Sequence, residues 1–578
     1  MKKRTIFGVG LTIVVWFLLF YTMLPAINIH NQEFWQFAVL LLVVAVVLNS
    51  YTMIQKMVES SRGLTLGEQI KKWKKLLLVV AVFVVFYGGG TLLSSPILRA
   101  SAYKDLLTVT PSSFAEDIEE VDFNQIPIMD KDTAALLAER KMGSMIDMVS
   151  QYEVSDFYSQ INYQGKPVRV TPLEYSSAIK WLTNRSTGIP AYIKIDMTTQ
   201  DVELVKLEEG IRISPTEHFG RNLNRYLRFR YPTAMFRNIS FEIDDNGVPY
   251  WICSVEEKTI GLFGGSDIKG AVLLNAVTGE HTYYDIADVP QWVDGVYDAA
   301  LLIGQYDYFG LLSGGYLNSI FSQKGCLQTT EGYNYIALND DVWVYTGITS
   351  VTGDESIVGF VLMNQRTKET NYYQVSGAKE LSAMRSAEGQ VQNLGYQATF
   401  PLLLNVGGQP TYFLSLKDDA GLVKKYAMVN VERYQLVAIG DTVSQCETNY
   451  KALMNDSGLS LTEEAEQNQF SGTISGIYDV VIDGNTCYFV TLEGEETLFE
   501  VQAKENLTII TAKVGDQVEL SGYAGATDGL VTVTQVKLTG HQAATDAALE
   551  ERAKQEAEAS EAQSLPSMET EPTEMVAE

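Results

Sequence analysis

The sequence predicts a membrane-anchored α+β chain. Three N-terminal transmembrane helices come first, then tandem modules of antiparallel sheet plus helix, then a small OB-like β-barrel. Three observations carry the prediction. Apolar runs crowd the first 97 residues, a strand–Asx–turn–strand pattern recurs four times between about 150 and 460, and residues 466–540 alternate as short strands between Gly/Asp turns.

The apolar runs are 6–27, 35–54 and 76–93. Each has about 18–22 residues without an internal charge, enough as a helix to cross roughly 30 Å of hydrocarbon. Gly88-Gly89-Gly90 predicts a bend near the end of the third. Lys2, Lys3 and Arg4 precede the first run, and the link 28–34 has no Lys or Arg. The second link holds Lys56, Arg62, Lys71, Lys72, Lys74 and Lys75. Positive ends stay inside, so the chain reads as a multi-pass plasma-membrane protein with a cytoplasmic N-terminus and residues 98–578 outside the cytoplasm. Runs without charge argue against a transport path of its own.

The whole chain has 43 basic and 71 acidic residues; residues 1–97 hold nine and three of them. An acidic remainder argues against nucleic acid as a partner, because it repels phosphate. The expected partners are the cell membrane and a protein or wall component outside. Cys253, Cys326, Cys446 and Cys487 lie far apart, so zinc-type spacing is missing and both disulfides and buried thiols remain open.

Residues 98–150 form an entry segment with a helix at 131–145, capped by Asp130. Four modules follow, at 151–235, 236–325, 326–395 and 396–460. In each, an apolar strand runs into Asp196, Asn275, Asn364 or Asn430, then a polar turn, then a second strand. Asp and Asn suit that place because their side chains bond the turn backbone. Hairpins at Ile243–Trp251, Leu338–Trp343 and Leu404–Tyr412 precede three of these turns. Helices are expected at 215–230, 290–306, 378–392 and 441–454, each covering one face of its sheet. Marker spacings of 79, 89 and 66 residues are too long for a thin solenoid.

The string Ala271–Glu280, with the strand at Tyr250-Trp251 before it, resembles the strand-turn-strand core of PepSY-type modules. These are small α+β units of cell envelopes and protease propeptides. The resemblance implies an extracytoplasmic binding or regulatory module rather than an enzyme. The arrangement as a whole resembles multi-pass membrane proteins of Gram-positive gut bacteria.

Residues 466–540 read as an OB-like barrel. The tail 541–578 is Ala/Glu-rich, acidic and predicted to be disordered. His30, His218, His281 and His541 share no metal spacing, and no nucleophile motif is present. The expectation is therefore no catalytic residue, no metal and no cofactor. Asp244-Asp245, Asp340-Asp341 and Asp418-Asp419 fall at hairpin turns, where turn formation explains them better than cation binding.

Two features suggest a binding surface. Arg221, Arg225 and Arg228 share a helix face, to meet anionic lipid or wall polymer, or else the chain's own acids. Trp251, Trp343 and Tyr412 sit at matching strand positions, where they either stack on a ligand or pack in the core. The function expected is a non-enzymatic cell-envelope protein binding a protein, peptide or wall component. The alternatives are an accessory subunit of a secretion or transport complex and an envelope hydrolase.

Overall fold

In a computed structural model, residues 2–59 and 66–539 are described, with the exception of 119–122, 124–125, 339, 352–355, 458–467, 483–484, 496, 504–505 and 525–528. The predicted tail at 541–578 lies outside the described residues. The chain forms two compact units, 1–460 and 461–578.

The first unit opens with helices α1 (Lys2–Met23), α2 (Gln32–Glu59), α3 (Leu66–Leu93) and α4 (Pro96–Lys104). Their apolar stretches correct the predicted fold class. Among the described residues, no single helix is long and apolar enough to cross a membrane. Gly10–Met23 and Gln32–Ala45 stand as shorter apolar helices. Among the described residues, Val80–Leu93 taken with Pro96–Lys104 is the one pair with the needed length and composition, and it is bent by 43°. The helix runs straight through the glycine triplet; the bend falls at Ser94-Ser95, where Pro96 opens α4.

Four meanders follow. Module 1 is β1 (Ser159–Tyr163), β2 (Lys166–Tyr175), β3 (Ile189–Asp196) and β4 (Val202–Ile211). Module 2 is β5 (Met235–Ile243), β6 (Pro249–Ile260), β7 (Gly264–Asn275) and β8 (His281–Asp285). Module 3 is β9 (Asn334–Leu338), β10 (Asp341–Ser350), β11 (Gly359–Asn364) and β12 (Thr370–Tyr373). Module 4 is β13 (Leu402–Val406), β14 (Gln409–Lys417), β15 (Val423–Asn430) and β16 (Val437–Gly440). Successive strands pair antiparallel in every module. The entry segment adds Thr110–Ser112 to module 3, parallel to β12, a strand the sequence reading missed.

The Asx turns repeat in detail. Asp196, Asn275 and Asn364 each accept backbone N–H groups from the second and third residues on. The fourth residue on, Gln200, Gly279 or Lys368, donates its N–H back to the Asx carbonyl. It is left-handed in all three, with φ of 64°, 79° and 68°. Only module 2 meets that requirement with glycine. Asn430 keeps one such bond, to Arg433 N–H, in a turn one residue longer.

Helices were expected to cover each sheet, yet neighbouring sheets do much of that work. Alternate residues of module 2 point to opposite faces. Trp251, Cys253, Val255, Val272 and Leu274 pack with module 1 residues such as Tyr192, Ile193 and Ile195. Ile252, Ile268, Ala271 and Leu273 pack with Val344, Ile348, Val361 and Met363 of module 3. A sheet buried on both faces needs continuous apolar stretches, which Ala271–Leu274 of β7 and Val342–Tyr345 of β10 supply. The helices are short supplements. The predicted helix at 215–230 is α6 (Leu223–Arg230), and α5 (Lys131–Gly143) is capped by Asp130 through Thr133 N–H at 2.9 Å. The others are α7 (Ala299–Leu311), α8 (Glu380–Gln390) and α9 (Val443–Asp456).

The second unit is a closed five-stranded barrel of β17 (Asn468–Ile482), β18 (Asn485–Leu492), β19 (Leu498–Gln502), β20 (Gln517–Ala524) and β21 (Leu530–Leu538). Its order, first-second-third-fifth-fourth, with one parallel pair between β19 and β21, has the OB-like form. Its core holds Ile474, Val490, Phe499, Val518 and Val533.

Candidate functional site

The apolar helices meet the sheets at one seam, made by α6 and the turn after it at the end of module 1 and by the β6–β7 hairpin of module 2. Helix α1 ends at Met23 because Leu24 turns left-handed, φ 50°, and Pro25 follows. Leu24 N–H closes on Phe20 C=O at 2.9 Å. Its own carbonyl accepts from Arg228 Nε at 2.9 Å, and Tyr21 C=O accepts from Arg225 Nε at 3.4 Å. Cations at a helix C-terminus complement both the orphan carbonyls and the dipole. Arg228 is buried; its Nη1 also donates to Ala234 C=O at 2.7 Å and, more loosely, to Tyr231 and Pro232 C=O. Arg225 lies over the Tyr21 ring at 4.1 Å.

The chain beyond α1 continues the seam. Ile27 N–H donates to Pro232 C=O at 2.7 Å, and His30 Nδ1 lies 2.8 Å from Leu262 C=O. From the other side, Ser94 Oγ accepts the N–H groups of Leu262 and Phe263 at 2.8 and 3.1 Å. Aromatic contacts complete it: Phe20 on Phe229, Tyr87 on Phe263 and Trp35 on Phe86.

These contacts decide between the two sequence readings of the arginine stripe. Arg225 and Arg228 do turn inward, but to carbonyls rather than acids. Arg221 does the same, donating to Arg185 C=O at 2.6 Å. The aromatic set is core. Trp251 donates to Ile213 C=O, Trp343 to Leu338 C=O and Tyr412 to Ala378 C=O, and all three are buried. All four cysteines are buried and none is in a disulfide.

A second polar cluster lies where modules 1, 2 and 3 meet. Glu242 on β5 is buried and accepts from Asp294 N–H and Gly295 N–H, both at 2.9 Å, and from Ser240 Oγ at 2.8 Å. Asp294, equally buried, accepts from Asn162 N–H of β1 at 2.7 Å. Burial pushes both carboxyls up, Asp294 well above the usual range with help from the Glu242 charge; the bonds to Glu242 only moderate its rise. On β10, Asp341 takes a bidentate bond from Arg366 at 2.6 and 2.8 Å and one from Asn364 Nδ2 at 2.9 Å. The acidic pairs are therefore not alike. Asp244 and Asp418 tie up turns, while Asp341 anchors a buried ion pair.

Four polar atoms in this region have no hydrogen-bond partner: Gln160 Nε2, Asn162 Oδ1, Arg169 Nε and Asp294 Oδ1. Gln160, Asn162 and Arg169 share one face of the β1–β2 hairpin, with Gln160 opposite Arg169. Two are donors and two acceptors, a balance that buried water can satisfy. No pattern in the sequence joins Asn162, Glu242 and Asp294, so sequence reasoning missed the cluster. Among the described residues, no group of three or more His, Cys, Asp or Glu could hold a metal.

No protein-family model matches the chain, and no curated protein matches it. Weak similarity exists to solved glycoside-processing enzymes. One is an exo-β-1,3-galactanase from Phanerochaete chrysosporium, 10% identical, TM-score 0.18, covering 59% of this chain and 62% of that one. Another is an endo-1,4-β-xylanase from Bacteroides thetaiotaomicron, 11% identical, TM-score 0.16, covering 67% and 96%. A third is a B. megaterium levansucrase, 10% identical, TM-score 0.18, covering 76% and 99%. Scores this low carry neither fold nor function across.

Proposed function

We propose that the chain is a non-catalytic binding protein of the cell envelope, held against a lipid surface by the flanks of its N-terminal helices. One observation carries this reading. Large apolar side chains stand exposed along helices whose ends are seated on α6 and the β6–β7 hairpin, among them Leu11, Val14 and Phe17 on α1, Val43 and Val47 on α2, and Leu78, Val82 and Val85 on α3. Val85 is 73% exposed and Leu78 65%. Apolar surface left bare on this scale marks a partner or a bilayer. The tandem sheets present the binding surface. The likeness of 271–280 to PepSY-type modules points the same way.

Flotation of the full chain with phosphatidylcholine–phosphatidylglycerol vesicles tests this. The chain is expected to float, and Leu78→Ser/Val82→Ser/Val85→Ser to remain at the bottom. A wild-type chain that is monomeric without detergent and does not float would overturn the reading.

A further inference from the structure

On module 1, beside the C-terminal end of α1, an apolar and basic corner stands exposed. Its parts are the short helix Ala178–Asn184 and the turn Phe219–Arg221. Trp181 ties them together. Its Nε1 donates to the buried Glu217 carboxylate at 2.7 Å, and its ring meets those of His218 and Phe219 with centroids 4.5 and 6.1 Å away. Three large apolar side chains on these two segments face water: Phe219 is 66% exposed, Ile179 72% and Leu182 56%. We propose that this corner is a second membrane contact, which dips into the headgroup layer of an anionic bilayer alongside α1. The proposal rests on the lipid reading of the helices and adds to it a second anchoring surface and a lipid class.

The first support is position. One guanidinium joins the corner to α1: Arg225 donates from Nη1 to Phe219 C=O at 2.9 Å and from Nε to Tyr21 C=O at 3.4 Å. Phe229, also exposed, meets Phe20 and Tyr21 at centroid distances of 5.8 and 6.2 Å. Tyr21 in turn meets Phe17, one of the bare apolar residues of α1. The corner is therefore continuous with the flank assigned to lipid, at a helix end rich in the aromatic side chains that suit a membrane surface. The second support is the backbone. Phe219 is left-handed, φ 53°, where a bulky residue is an outlier; glycine, which suits that conformation, comes one residue later at 220. Exposure leaves that strain without an offsetting gain in the core, and strain of this kind gathers at binding sites. The third is charge. The chain carries a formal net charge of −28, yet 176–190 and 214–234 hold Lys180, Arg185, Arg221, Arg225, Arg228 and Arg230 against one acid, the buried Glu217. Arg221, Arg225 and Arg228 bond to carbonyls, which uses their donors but leaves their charge standing. Apolar side chains rimmed by cations fit anionic headgroups.

Fluorescence of the full chain on vesicles tests this. All four native cysteines are buried, so a single NBD probe can be placed on Phe219→Cys, on Ile179→Cys or, as a control on module 4, on Leu394→Cys. Each labelled chain is floated with phosphatidylcholine–phosphatidylglycerol vesicles whose lipid carries a doxyl quencher near the top of the acyl chain. We expect emission at 179 and 219 to shift to the blue and be quenched, and emission at 394 to do neither. Vesicles of phosphatidylcholine alone should give roughly twofold less quenching at 219. Phe219→Gly relieves the strained backbone, so with the probe at 179 it is expected to melt no lower than the chain that keeps Phe219 and still to lose quenching. The proposal is overturned if the chain floats with both probes in water, if 394 is quenched as strongly as 219, or if phosphatidylglycerol makes no difference. A chain that does not float removes the membrane reading and this corner with it, so the two failures are told apart.

Discussion

The helix seam and the three-module junction both bury charge, and they settle it in opposite ways. At the seam the charge is cationic, and each arginine is met by carbonyls that α1 and the 231–234 turn leave unsatisfied. At the junction the charge is anionic. Glu242 is met by two N–H groups and a hydroxyl, but Asp294 keeps one oxygen without a partner. A guanidinium keeps its proton and must be paired, whereas a carboxyl can take one up. The seam therefore fixes position, while the junction is tuned by pH.

The sharpest way to break this contrast is Arg228→Ala. The substitution strips a donor from Leu24 and Ala234 C=O in a buried setting. Charged hydrogen bonds are worth roughly 1.5–3 kcal/mol each, and buried carbonyls left bare add to the cost. A loss of about 2–4 kcal/mol in denaturant stability is expected, together with faster proteolysis at 24–34. If stability falls by much less, the seam is a loose contact and the contrast fails.

Asp294→Asn tests the other side. A carboxyl whose folded pKa lies above its unfolded value stabilises the fold while protonated, and that contribution is lost as pH rises from about 4 through the folded pKa. Wild type should lose stability across that window. The variant cannot ionise there, so it is expected to be more stable than wild type by about 1–3 kcal/mol at pH 7 and to show no advantage at pH 4. Urea midpoints at the two pH values decide the matter; an equal difference at both would assign the effect to packing instead.

The same contrast separates what the sequence discloses from what it hides. The Asx turns were legible because their bonding is local: Asn275 needs only the two N–H groups that follow it. The barrel was legible for a similar reason, since its alternating strands and turns are adjacent in the chain. The cover for each sheet was not. Whether Ile252 faces a helix or a neighbouring sheet depends on stacking that no local pattern encodes. The ends of the apolar runs were hidden for a related reason. A run of apolar letters says nothing of where a helix ends: the first run was expected to reach 27, and α1 stops at Met23, where Leu24 turns left-handed against Arg228. The arginine stripe showed that a basic face existed but not that helix carbonyls would meet it. The Glu242–Asp294 pair left no signal, because the two lie 52 positions apart and Asn162 lies 132 from Asp294.

Arg225→Ala sharpens the seam from within and carries the smallest expected effect. Arg225 has the same charge as Arg228 and contacts the same helix, but it is only partly buried, its bond to Tyr21 C=O is long at 3.4 Å, and it leans on the Tyr21 ring. A partly solvated cation at a helix terminus contributes about 0.3–1 kcal/mol, and a cation–π contact near the surface adds about the same. The variant should therefore lose about 0.5–1.5 kcal/mol, and most of the loss from the helix-end charge should vanish in high salt, which screens exposed charges but not buried ones. Arg228→Ala, by contrast, should cost nearly the same in low and high salt. Two arginines three residues apart would then differ not in charge but in whether water can replace the carbonyl each one holds. Equal salt dependence for both variants would show that burial is not what separates them.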